Sequence, residues 1–163
     1  MISLDNSDKA ILRELQADAS ISNLELSKKI GLSPSACLTR TKNLRESGVI
    51  KQFTTIIDEK KLGMDTMAFV LVNLTPMNRD SIKSFMEDVN HYPQIQECYT
   101  LTGSHDFLLK IVARDTQSYR DFIIDTLTAN PIISSVETLV VLGVEKRTTS
   151  VPVELSGDGK REK

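Results

Sequence analysis

The sequence predicts an α+β protein of two modules, an N-terminal winged helix-turn-helix followed by a C-terminal ferredoxin-like βαββαβ sandwich. Three observations carry that prediction. Three short helical patterns with capping residues fill the first 50 positions, and a β-branched run follows them. From Met64 the periodicity changes to strand, helix, strand, strand, helix, strand. The length of 163 residues suits one or two domains. The expected division is 1–60, 61–155 and a disordered polar tail, 156–163.

In the first module, Asp5 is placed to cap a helix whose inward stripe is Ile11, Leu12 and Leu15. Ser22 or Asn23 caps a second, carrying Leu26 and Ile30 and stopped by Gly31. Ser33 caps a third, with Pro34 at its first helical position, and Gly48 ends it. The short interval around Gly31 is the spacing of a helix-turn-helix. Residues 49–57 then read as a strand or wing leading into Asp58-Glu59-Lys60-Lys61.

The second module begins with a strand at 67–74. Asn78 or Asp80 opens a helix with Ile82, Phe85, Met86 and Val89 on one face, ended by Pro93. Strands are expected at 95–101 and 107–113. Tyr119, Phe122, Ile123 and Leu127 face inward on a second helix that Pro131 terminates. The last long strand spans 136–144, with a short one at 148–153. Strands 68–74, 107–113 and 139–142 are apolar on both alternating faces, and two helices cover only one face of a sheet. The other face is therefore expected to pack on a second subunit.

Composition narrows the function. Apolar residues make up 40% and charged residues 26%, an ordinary globular balance. No apolar run approaches the ~20 residues needed to span a bilayer, and no export signal is visible. With Cys37 and Cys98 as the two cysteines, a disulfide framework is excluded, and a cytoplasmic setting fits. Net charge is −2, yet residues 25–51 hold six basic side chains against two acidic ones. That asymmetry suggests two modules with different partners. His91 and His105 lack metal-ligand spacing, and neither a phosphate-cradling glycine loop nor a nucleophile elbow occurs. An enzyme is not expected, and no cofactor or metal is called for.

At about 100° per residue, Cys37, Thr41 and Leu44 share one side of the third helix, with Leu38 at its edge. Ser35, Thr39, Lys42 and Glu46 lie opposite, flanked by Asn43, and Arg40 falls on the border. Short polar and basic side chains on such a face suit base edges and phosphates in a major groove. An ordinary solvated face has the same pattern. In the second module, Thr100-Leu101-Thr102-Gly103-Ser104-His105-Asp106 offers hydroxyl donors for a carboxylate and an acid for an ammonium. Read locally, the favoured alternative is a hairpin turn in which Asp106 bonds its own backbone.

The segment ISNLELSKKIGLSPSACLTRTKNLRESGVI, preceded by Leu4-Asp5, Asp8 and Ile11-Leu12, resembles the Lrp/AsnC (leucine-responsive, feast/famine) transcriptional regulators. The resemblance continues through IQECYTLTGSHDFLLKI and ETLVVLGVEKRTTSVP, and so spans residues 4 to about 153. One departure is Thr41, where the family usually has Val or Ile. The resemblance implies a regulator that binds double-stranded DNA and responds to a free amino acid, as a homodimer assembling to an octamer. It implies DNA-facing roles for Ser33, Ser35, Thr39, Arg40, Lys42 and Asn43, while Lys28 and Lys29 on the second helix either touch phosphates or keep that helix solvated. It also implies an effector site around Thr100, Leu101, Thr102, Gly103, Ser104, His105 and Asp106, with Thr128, Ser135 and Val136 near the same pocket from a neighbouring subunit. Apolar walls at Leu101 and Val136 favour leucine or methionine, while Thr100 and Thr128 suit asparagine or glutamine. The alternative is an amino-acid-sensing allosteric subunit whose helical module docks on protein.

Overall fold

The computed structural model describes residues 3–155, so the tail at 156–163 lies outside the described residues. The chain falls into two compact units, one holding residues up to 56 together with those from 146 onward, the other residues 57–145.

In the first unit, α1 (Asn6–Ala17), α2 (Asn23–Ile30) and α3 (Pro34–Glu46) start where the capping residues direct. Asp5 and Asp8 form a reciprocal capping box, and so do Ser22 and Glu25. Gly31 closes α2 with φ +70°, a left-handed conformation that glycine adopts without a steric cost. Ser33 caps α3 ahead of Pro34. Asn23, the second candidate cap of α2, bonds elsewhere. Its side-chain amide donates to the Pro34 carbonyl at 2.9 Å, tying the start of α2 to the start of α3. Ile11, Leu12, Leu26, Cys37 and Leu44 form the core of this unit, joined by Val153.

The second unit contains β1 (Thr66–Leu74), α4 (Arg79–His91), β2 (Ile95–Thr100), β3 (Phe107–Ala113), α5 (Thr116–Phe122) and β4 (Ile133–Val140). The sheet is antiparallel throughout, in the order β2-β3-β1-β4, as a ferredoxin-like sandwich requires. Ala68, Val70, Val72 and Leu74 of β1 and Phe107, Leu109 and Ile111 of β3 bury one face of the sheet. Phe85 and Val89 from α4, and Tyr119 and Leu127 from α5 and the turn after it, join the same core. On the other face Met67, Phe69, Leu71 and Leu108 stay half-buried and Leu139 is exposed. This face carries a buried cation as well: Lys110 Nζ lies 3.0 Å from Glu97 Oε1, and the Tyr99 hydroxyl also bonds Glu97.

The structure corrects five expectations. Residues 49–57 form no strand, because a strand needs a hydrogen-bonded neighbour and, among the described residues, none flanks them. The last strand runs over Ile133–Val140 rather than 136–144: it starts as soon as Pro131 is passed and ends where β1 stops pairing, at the bond from Val141 N to Met67 O. The second helix loses its α geometry early, since residues 123–128 form a π-helical turn. Leu38 points away from the core and is 60% exposed. Residues 148–153 form no strand, and the segment from 146 belongs with α1–α3 rather than with the 61–155 module. Val153 is the physical reason, because it finds its apolar environment beside Ile11 and Leu12.

Candidate nucleic-acid interface and effector loop

Ser35, Thr39, Lys42 and Asn43 are exposed on one face of α3. The Thr39 hydroxyl donates back to the Ser35 carbonyl at 3.0 Å, and Lys42 lies 3.6 Å from Glu46 one turn on. Ser33 spends its hydroxyl on the cap, accepting from Ala36 N. On α2, Lys28 is exposed, while Lys29 is drawn to Glu14 at 2.8 Å.

Arg40 is placed differently from its α3 neighbours. Its guanidinium donates to Asp5 at 2.7 Å and Asp8 at 2.9 Å, bridging α3 to the start of α1. The Asp8 backbone N–H, then Arg40, hold the Asp5 carboxyl below the 3.8 ordinary to aspartate. A hollow of about 700 Å³ opens beside this bridge, bordered by Ser35, Thr39, Arg40 and Asn43. Four of the predicted DNA-facing residues therefore surround one depression.

In the second unit the 101–106 loop is closed by a bond from Leu101 N to Asp106 O at 2.8 Å. Gly103 takes φ +127°, a region that side chains resist. Asp106 is firmly fixed: its N–H donates to Asn73 Oδ1 and Val72 O, and its Oδ2 accepts from Leu74 N at 2.9 Å. The Asp106 carboxylate therefore bonds the backbone of β1 and not its own, which corrects the local turn reading of this side chain. Thr100, Thr102, Ser104, Thr128 and Ser135 are exposed, and Leu101, His105 and Val136 are half-buried. Ser135 lies opposite Asn73 in the sheet, which brings β4 to the same end as the loop. The Thr128 hydroxyl donates to Ile124 O and Ile123 O within its own turn. His105 Nε2 stands 3.5 Å from Glu137, and its buried Nδ1 has no hydrogen-bond partner among the described residues.

Sequence reasoning missed Asn73. It sits at the register shift between β1 and β4, receives the Asp106 N–H on its side chain and the Ser134 hydroxyl on its carbonyl, and so joins loop to sheet. An asparagine within an apolar strand is the signal that could have found it.

Residues 4–51 match the description winged helix-turn-helix DNA-binding, and residues 67–151 match Lrp/AsnC ligand binding domain. The transcriptional regulator AzlB of Bacillus subtilis is 68% identical over 94% of this chain and 98% of its own. A leucine-responsive regulatory protein of Rhizobium meliloti is 35% identical over 93% of this chain and 97% of its own. Among solved structures, a Neisseria meningitidis transcriptional regulator in complex with L-methionine superposes with a TM-score of 0.89 at 32% identity, covering 93% and 97% of the two chains. AsnC of Escherichia coli superposes at 0.84 and 26% identity, over 93% and 100%. With both modules matched in order, and with relatives that are regulators rather than enzymes, the chain belongs to the Lrp/AsnC family of DNA-binding transcriptional regulators.

Proposed function

We propose that the chain binds specific duplex DNA through the outer face of α3, using Ser33, Ser35, Thr39, Arg40, Lys42 and Asn43, with Lys28 on phosphates. The supporting observation is the convergence of Ser35, Thr39, Arg40 and Asn43 around one hollow while Lys42 stands exposed beside them. A free amino acid taken up around the 100–106 loop modulates that binding, in a cytoplasmic setting. Thr100, Thr102 and Ser104 supply donors to its carboxylate, and Asp106 receives its ammonium. Leucine or methionine is the favoured effector. The half-buried Leu101 and Val136 give apolar walls for such a side chain. The L-methionine complex of the Neisseria relative supports this choice.

The half-buried second face of the sheet supports a homodimer, and we propose that another dimer closes the effector loop in an octamer. Sedimentation of the full chain reads the first step: a dimer or larger species is expected, and a clean monomer overturns it.

The DNA reading is tested by titrating the full chain onto a duplex recovered by selection from a random library. Log affinity is expected to fall linearly with log salt, by about 0.9 per phosphate contacted. Lys28→Ala should reduce that slope by about one. A helical module that docks on protein shows neither behaviour.

A further inference from the structure

Residues 146–155 belong to neither site, yet they are fastened to α1 at three points. The Gln16 side-chain amide donates to Val151 O at 3.1 Å, and Val151 N donates back to Gln16 Oε1 at 2.6 Å. Glu154 meets Arg13 at 3.4 Å. Val153 is 7% exposed among Ile11, Leu12, Leu26, Cys37 and Leu44, whereas Val151 is 68% exposed. The segment thus runs along α1 and turns into a short 3-10 helix over Val153–Leu155, with Val153 inserted and Val151 turned outward.

We propose that residues 146–155 form a strap that docks on α1, completes the core of the DNA-reading module, and must be seated for α3 to hold DNA at full affinity. The occupant of this surface is the chain's own C-terminal segment. The proposal rests on the reading of α3 as the DNA-binding helix. The reason is size: 56 residues make a thin core, in which each buried apolar side chain carries weight. Val153 shares its cluster with Cys37 and Leu44 of α3, so a lifted strap frees the helix that meets DNA. Individually weak contacts suffice, because the strap is tethered and its effective concentration at α1 is high.

The test compares three variants of the full chain by amide hydrogen exchange in α1 and by titration onto the selected duplex. Val153→Asp should speed α1 exchange at least tenfold and weaken DNA binding about tenfold. Gln16→Ala should move both in the same direction by less, and Val151→Asp, which adds the same charge at an exposed position, should match wild type. Val153→Asp behaving like Val151→Asp would overturn the strap. Should Val153→Asp lose all protection in α1–α3, Gln16→Ala decides, and wild-type exchange and affinity in that variant would overturn it. A wild-type chain that binds no duplex, yet shows this exchange pattern, would sink the DNA reading and leave the docked strap standing. A short bis-maleimide joining Gln16→Cys to Val151→Cys, in a Cys98→Ser background, should give a single-chain band. A dimer band would assign the segment to a second copy and overturn the proposed occupant.

Discussion

Arg40→Ala is expected to weaken binding to duplex DNA by roughly tenfold to a hundredfold, on the order of 1–3 kcal/mol for a lost base or phosphate contact. The guanidinium is half-exposed at the rim of the α3 hollow but is occupied by Asp5 and Asp8. The Asp5 bridge is exposed and contributes little to stability, about 0–1 kcal/mol, so a phosphate can compete for Arg40. The partner variant separates a DNA contact from a clamp. Asp8→Asn keeps the side-chain oxygen that accepts the Asp5 N–H in the capping box, and it removes one charge that holds Arg40. If Arg40 exchanges onto DNA, Asp8→Asn tightens binding several-fold. If Arg40 only holds α3 against α1, Asp8→Asn weakens binding as Arg40→Ala does. Fluorescence anisotropy against the selected duplex distinguishes the two by sign.

The second large effect is expected at Asp106. An amino-acid ammonium taken out of water needs a charged or strongly polar acceptor, and Asp106 is the acid within the 100–106 loop. Its Oδ2 already accepts from Leu74 N, so Asp106→Ala removes a loop anchor together with a charge. Asp106→Asn is the cleaner change, since an amide oxygen still accepts from Leu74 N. The Asp106 N–H to Asn73 is a backbone donor and is untouched. Asp106→Asn is expected to lower amino-acid affinity more than tenfold, with thermal unfolding and amino-acid-free DNA binding unchanged. Isothermal titration with L-leucine and L-methionine measures it, and undiminished affinity in Asp106→Asn would place the pocket elsewhere.

The parts of this molecule that were legible in the sequence are those decided locally. Asp5, Ser22 and Ser33 cap their helices because a side-chain oxygen two or three residues ahead of backbone N–H groups satisfies them wherever the chain lies. The βαββαβ order followed from a switch between two periodicities, and β3 appears at its expected limits, Phe107–Ala113. What sequence alone missed depends on distant partners. The end of β4 is set by where β1 ceases to pair, not by the β-branched run that continues past Val140. The wheel of α3 placed Arg40 on a border but carried no information about Asp5 and Asp8, 35 and 32 residues away. Asn73 and the strap at Gln16 and Val151 are long-range in the same sense, joined across 33 and 135 residues.

The central claim is that one chain joins a DNA-reading face on α3 to an amino-acid site in the second module. Linkage makes this directly measurable, because an effector that changes DNA affinity must itself bind with an affinity changed by DNA to the same factor. The decisive measurement is the affinity of the full chain for the selected duplex with and without saturating L-leucine or L-methionine, paired with calorimetric affinity for the amino acid with and without duplex. Equal coupling factors of about fivefold or more, abolished in Asp106→Asn, are the predicted result. Tight DNA binding that neither amino acid alters, together with no heat of amino-acid binding, would contradict it.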